Sequence, residues 1–141
     1  MAFDNIFGIA GSALNAQTTR MNATASNLAN AGTVAGSEKD AFRAKRAVFK
    51  TILDNQLSAQ DATNRGGVKV QQLTDDPAAI TRMSDPGNPA ADKDGYVYLS
   101  NVNEMTEMVE MMAAARSYQN NVEVVNTARQ LMTRTLDIIK S

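Results

Sequence analysis

Two carboxylate pairs, Asp75-Asp76 and Asp92 with Asp94, and a run of thioethers, Met105, Met108, Met111 and Met112, are the groups in this chain best suited to chemistry. Paired carboxylates can divide acid and base work at a glycosidic bond, given an apolar pocket that raises one pKa. Both pairs lie instead in turn-rich sequence, where Asp is ordinary. Asp92-Lys93-Asp94-Gly95 opens like a calcium loop, but the acidic residue such a loop needs at its twelfth position is replaced by Asn103. That stretch reads as a turn. The methionines are soft-metal ligands by type. On a helix only Met105, Met108 and Met112 share a face, and Met is also an adaptable filler at interfaces that meet several neighbours. Packing is the expected role.

Histidine and cysteine are both absent. That removes the commonest general base, the commonest transition-metal ligand, and any thiol nucleophile or disulfide. Lys and Arg number 14 against 15 Asp and Glu, a formal net charge of −1. With no basic excess to neutralise phosphates, nucleic-acid binding is not expected. No catalytic, cofactor-binding or metal residue is assigned, and no enzyme is expected.

The scaffold that must position these groups has 141 residues, enough for one domain with an appendage. Hydrophobic residues make up 43% of it, but much of that is Ala and Met, aromatics are 5%, and Trp is absent. A compact monomer would bury little aromatic area, so part of the apolar burial is expected to await partners. The first basic side chain is Arg20, so a cleaved secretory signal is not visible. No run approaches the roughly 20 apolar residues that cross a bilayer.

Both ends read as long amphipathic helices. From about Ile6 to Ala31 a stripe runs Phe7, Ala10, Leu14, Gln17, Met21, Thr24 and Leu28, in alternating steps of three and four. Asp4 or Asn5 is the expected N-cap, and Gly32 the left-handed stop. From about Val102 to Ile139 a second stripe runs Val102, Met105, Val109, Met112, Ala115, Gln119, Val122, Val125, Ala128, Met132, Leu136 and Ile139. Its mean step, about 3.4, is close to the coiled-coil repeat. Asn101 with Glu104 has capping-box spacing, and Asn103 is the alternative cap. Glu104, Glu107 and Glu110 at one end, and Arg129, Arg134 and Lys140 at the other, suit the helix dipole. Asparagines on both helices (Asn15, Asn22, Asn27, Asn30, Asn120, Asn121, Asn126) are poor helix formers. They are either solvated or cross between helices to fix register.

The middle carries all three prolines. Phe42–Lys50 is either extended or a helical turn. Val68–Leu73 after Gly66-Gly67 reads as a strand, Ile80–Met83 and Tyr96–Leu99 as short ones, and Asp85-Pro86-Gly87-Asn88-Pro89 as dense turn chemistry.

Ser26-Asn27-Leu28-Ala29-Asn30-Ala31-Gly32-Thr33 resembles the N-terminal signature of the bacterial flagellar rod and hook axial proteins, in which Asn-Leu-Ala-Asn closes the first helix. Gly8–Gln17 and Met112–Ala128 resemble the same family. Asp85–Val97 with Asn101-Val102-Asn103 narrows the resemblance to the proximal rod. The resemblance implies a structural subunit of the torque-transmitting shaft in the periplasm, exported by the flagellar type III apparatus without signal cleavage. It also implies neighbours such as the rod proteins FlgB and FlgF and the export-gate junction protein FliE, copies of itself, and termini that order on assembly.

The expected fold is mainly α with a small β insert. Residues 1–33 and 102–141 would pair as an antiparallel coiled-coil hairpin around a β-hairpin and loop region, 34–101. The expected assembly interface comprises Leu14, Met21, Asn27, Leu28, Asn30, Met105, Val109, Met112, Tyr118, Val122, Val125, Met132 and Leu136. A soluble helical adaptor or export chaperone is the alternative. It accounts for the stripes but not for Asn-Leu-Ala-Asn.

Overall fold

The computed structural model describes residues 2–52 and 66–140. In chain order run α1 (Ala2–Asn30), β1 (Val34–Ala35), β2 (Lys45–Ile52), β3 (Gly67–Asp75), β4 (Arg82–Ser84), β5 (Tyr96–Leu99) and α2 (Glu104–Lys140). The fold is mainly helical with a small β region, as the stripes and turn signals predict. It divides into two units, each taking a piece of both helices. One holds Met1–Thr19, Val48–Gln72 and Ala113–Ser141, the other Arg20–Ala47 and Leu73–Met112.

α1 starts at Ala2, ahead of Asp4 and Asn5, so neither is its N-cap. Its threonines cost the helix little. Thr18, Thr19 and Thr24 return their hydroxyls to the carbonyls of Leu14, Asn15 and Arg20. The expected left-handed stop at Gly32 is not used, because among the described glycines only Gly66, Gly67 and Gly95 have positive φ. The helix closes instead on a tightened turn. Ala31 donates to the Leu28 carbonyl, and Thr33 donates to that of Asn30 through both its N–H and its hydroxyl. At α2 the cap is Asn103, whose Oδ1 accepts from the Thr106 N–H at 3.0 Å. Asn101, the first candidate, has its side chain occupied elsewhere. Glu104 and Glu107 lie in the first turn.

The inward faces are not the ones hydrophobicity picks out. On α2 the buried residues are Glu107, Ala114 and Ala128, and half-buried Asn121 completes the seven-residue spacing. The large side chains Met105, Val109, Met112, Met132 and Leu136 are exposed. Of that stripe only Ala128 is buried, while Val102, Ala115, Val122 and Val125 are half-buried. The Ile139 side chain lies outside the described residues. On α1 Ala10 and Thr24 are buried and the rest of the stripe is half-buried, and Ala16, Ala23 and Asn27 complete the buried set. Mostly small residues are buried on both helices, and large side chains are left exposed. The apolar core is otherwise Ala41, Ala44 and Val97.

In the first unit, β3 is latched to α1. The Val68 N–H donates to Ser12 Oγ (3.1 Å), and that hydroxyl donates to the Ile9 carbonyl (2.7 Å). Gly67 (φ 137°) is where the strand meets the helix, and a Cβ there would stand 2.7 Å from Ser12 Oγ. Gly67→Ala is expected to cost about 1–3 kcal/mol, read as a lowered urea midpoint at unchanged slope.

In the second unit, β5 is the centre of an antiparallel three-stranded sheet, β1-β5-β4. Its Val97 is fully buried. Arg82 stacks over the Tyr96 ring at 4.6 Å. The stretch before β5 is a chain of turns. Asn88 N–H donates to the Asp85 carbonyl and Gly95 N–H to that of Asp92. Asp92 Oδ1 accepts from the N–H groups of Asp94 and Tyr96, both at 2.9 Å. The carboxylate that resembled a calcium ligand thus serves an Asx turn. β2 and β3 form a separate two-stranded sheet, so Phe42–Lys50 becomes extended from Lys45 onward.

Candidate assembly site

The surface and its support are built from different residues. The support is a polar node in the second unit, at the first Asn of Asn-Leu-Ala-Asn. Asn27 is wholly buried. Its Nδ2 donates to the Lys45 carbonyl (3.0 Å) and to Glu107 Oε2 (2.9 Å), and its Oδ1 accepts from the Lys45 N–H (2.7 Å). One side-chain amide thus completes both backbone groups of a strand residue and reaches α2. Glu107, also fully buried, is ion-paired through Oε1 with Arg46 Nη1 at 2.7 Å. Arg46 Nε also donates to Asp76 Oδ2 at 3.2 Å. Nearby, Asn101 accepts from the Ala44 N–H (2.8 Å) and donates to the carbonyls of Asp76 and Ala78 (3.1 Å each). Arg20 on α1 pairs with Glu110 on α2. Both members of that pair are about a third exposed, so it contributes little.

Electrostatics favour the ionised forms of Arg46 and Asp76. Burial works against the Arg46 charge, but the hydrogen bond to Asp76 and the attraction of Glu107 outweigh it and raise its pKa. The Asp76 carboxyl is held below its ordinary 3.8, chiefly by the Ala78 N–H and, against some desolvation, by Arg46. Such a group binds protons more weakly folded than unfolded. Its stabilisation is therefore complete above the ordinary value and is lost as pH falls through the lower folded value. Asp76→Asn is expected to lower the urea midpoint at neutral pH and to bring it closer to wild type in acid.

The surface is the outward side of the helices. Met105 is 70% exposed, Met112 58% and Val109 54%, with Met108 at 45% beside them. Tyr118, Met132 and Leu136 are also exposed. In the first unit Ile6, Val124, Ala128 and Leu131 line an apolar groove of about 380 Å³. The other expected interface residues, Leu14, Met21, Leu28, Asn30, Val122 and Val125, are half-buried, and Asn27 faces inward. Of the node residues, the sequence marks Asp76 only as a turn carboxylate and Glu107 only as a charge suited to the helix dipole, and it does not single out Lys45 or Arg46. The one available signal was a charge, Glu107, seven residues before Ala114 in a repeating small-residue register.

Among the described residues, large apolar side chains are exposed while the buried apolar set is largely alanine, the pattern that makes this surface the candidate interface. Among the described residues no helix is long and apolar enough to cross a membrane.

Comparison with known proteins agrees with this geometry. Residues 7–35 match the family described as "Flagella basal body rod protein", and residues 93–138 match "Flagellar basal body rod FlgEFG protein C-terminal". The flagellar basal-body rod protein FlgC of Yersinia enterocolitica is 49% identical over 138 residues, 98% of each chain. That of Salmonella typhimurium is 47% identical with the same coverage. That of Agrobacterium fabrum is 37% identical over 94% of this chain and 92% of its own. With identity sustained from one helix to the other, and both helical ends matching rod families, the chain belongs to the FlgC family of flagellar basal-body rod proteins.

Proposed function

We propose that the chain is a subunit of the proximal rod, which packs against copies of itself and against other rod proteins, FlgB and FlgF among them, and meets the junction protein FliE. The family's role is structural and not enzymatic. The proposal places the subunit in the periplasmic part of the basal body, delivered by the flagellar type III route. The observation that carries it is the outward Met105–Val109–Met112 ridge on a helix whose inner seam is alanine and a buried carboxylate. A subunit that settled its own core would turn those large side chains inward. Contacts that repeat head to tail without closing generate a helical tube, and densely packed helices resist torsion because packed interiors are hardly compressible.

The two helices are read as an antiparallel coiled-coil pair. In the first unit Ile6 shares a groove with Val124 and Leu131. In the second, Arg20 meets Glu110 and Asn27 meets Glu107. Positions rise on α1 as they fall on α2, and seven-residue spacing on α2 suits a coiled coil.

Val109→Asp separates assembly from folding. Val109 is 54% exposed, so the monomer should keep its stability to within about 0.5 kcal/mol. Burying an unpaired carboxylate between subunits should abolish rod incorporation and motility in a strain lacking its own copy. Normal motility at normal expression would count against the proposal.

A further inference from the structure

Because the chain has no cysteine, its eight methionines are its only sulfur, and the structure distributes them unevenly. Met21 and Met111 are half-buried, and Met83 and Met132 are exposed singly at 48% and 42%. Met105, Met108 and Met112 are 70%, 45% and 58% exposed and share one outer face of α2, while Glu107 between them points inward at 0%. Exposure and the accessible thioether set the rate of sulfur oxidation. We infer that this ridge is a modification site at which a peroxide converts Met105, Met108 and Met112 to sulfoxides and thereby switches off assembly.

In each step the thioether sulfur attacks one peroxide oxygen. An S–O bond forms, the O–O bond breaks, and the departing hydroxide, or alkoxide from an organic hydroperoxide, takes the proton of the new S–OH group and leaves as water or an alcohol. Sulfur is oxidised by two electrons and the peroxide is reduced by two. The product replaces a flexible apolar group with a polar one carrying a strong acceptor oxygen. Covered by an apolar neighbour, each sulfoxide should weaken docking by about tenfold or more. The fold should survive, since the ridge makes no part of the buried seam. Reduction of the sulfoxides restores the thioethers, so the change is reversible. The switch rests on the reading of this ridge as an assembly surface; the oxidation pattern does not.

The test treats the purified full-length chain with graded hydrogen peroxide and maps single-oxygen mass gains by peptide mass spectrometry, with circular dichroism as the check on folding. Met105 and Met112 should oxidise ahead of Met21 and Met111 with helicity unchanged. Equal rates at all four would overturn the modification site. In cells lacking their own copy, a peroxide pulse during induced expression should block incorporation of the wild-type chain but not of a Met105→Leu, Met108→Leu, Met112→Leu variant. A methionine sulfoxide reductase should restore the wild type. Equal sensitivity of the two chains would overturn the switch. Should the leucine variant fail to express, Met105→Gln with Met112→Gln provides a permanent polar ridge, and unimpaired incorporation of that variant would overturn it as well. Failure of the untreated wild-type chain to incorporate would instead contradict the assembly reading and leave the oxidation map standing.

Discussion

Asn27→Asp is expected to destabilise the chain by about 4 kcal/mol, more than Asn27→Ala, although Asp is the closer match in shape. The retained oxygen can still accept from the Lys45 N–H. The oxygen that replaces Nδ2 faces two acceptors, the Lys45 carbonyl and Glu107 Oε2, where the native amide donates to both. In a fully buried position that change places two carboxylates together and leaves a backbone carbonyl without its donor. Asn27→Ala only deletes the bonds, at about 1–3 kcal/mol for the groups left unpaired. Urea unfolding of the two variants decides it. An aspartate variant more stable than the alanine one at neutral pH would show that Asn27 is a space-filler.

Arg46→Met should cost about 3 kcal/mol. It leaves the Glu107 carboxylate fully buried, with Asn27 as its remaining hydrogen-bond donor. Removing one member of a wholly buried pair costs roughly 3–5 kcal/mol. Arg46 is 40% exposed, so solvent already screens part of the attraction and the lower end applies. Adding Glu107→Gln to Arg46→Met should recover more than half of the loss. The amide carbonyl can still accept from Asn27, and no buried charge remains. The double-mutant cycle, by chemical denaturation, reads that coupling directly. Additive losses would mean that the pair is incidental.

These two variants also mark the limit of sequence reading for this chain. The helices were legible because apolar residues recur in steps of three and four, and because Asn103, Glu104 and Glu107 give α2 a proper start. The turns around Asp85-Pro86 and Asp92–Gly95 were legible because Asp, Asn, Pro and Gly each favour such geometry for a local reason. The direction of each helix face was not. Periodicity locates the widest apolar stripe and assigns it to the core. In this chain that stripe is divided: Ala, Asn27 and Glu107 take the inner seam, and Met105, Val109 and Met112 remain outside. A seam of small residues carries little hydrophobicity, so its signal is overwhelmed by methionines three positions away. The node was illegible for another reason. Asn27, Lys45, Arg46, Asp76 and Glu107 are far apart in sequence and meet only once β2, β3 and both helices are in place. Asn-Leu-Ala-Asn marked the spot through resemblance, and the geometry supplies its physical sense: the first Asn joins α1 to a strand and to α2.

That arrangement suits a part that must bear load. Rigidity inside the subunit comes from buried, directional polar bonds, and under the proposed function adhesion between subunits comes from exposed, adaptable side chains such as Met. A helix that contributes to both needs two differently composed faces, and α2 has them.

The most direct test of this division is hydroxyl-radical footprinting of the outer face of α2, in the free chain and in purified basal bodies. Met105, Val109 and Met112 should label readily in the free chain and be protected by about tenfold or more once assembled, while buried Ala114 and Ala128 label slowly in both. Equal labelling of the outer residues before and after assembly would contradict the account, because neighbouring subunits would then be docking on some other surface.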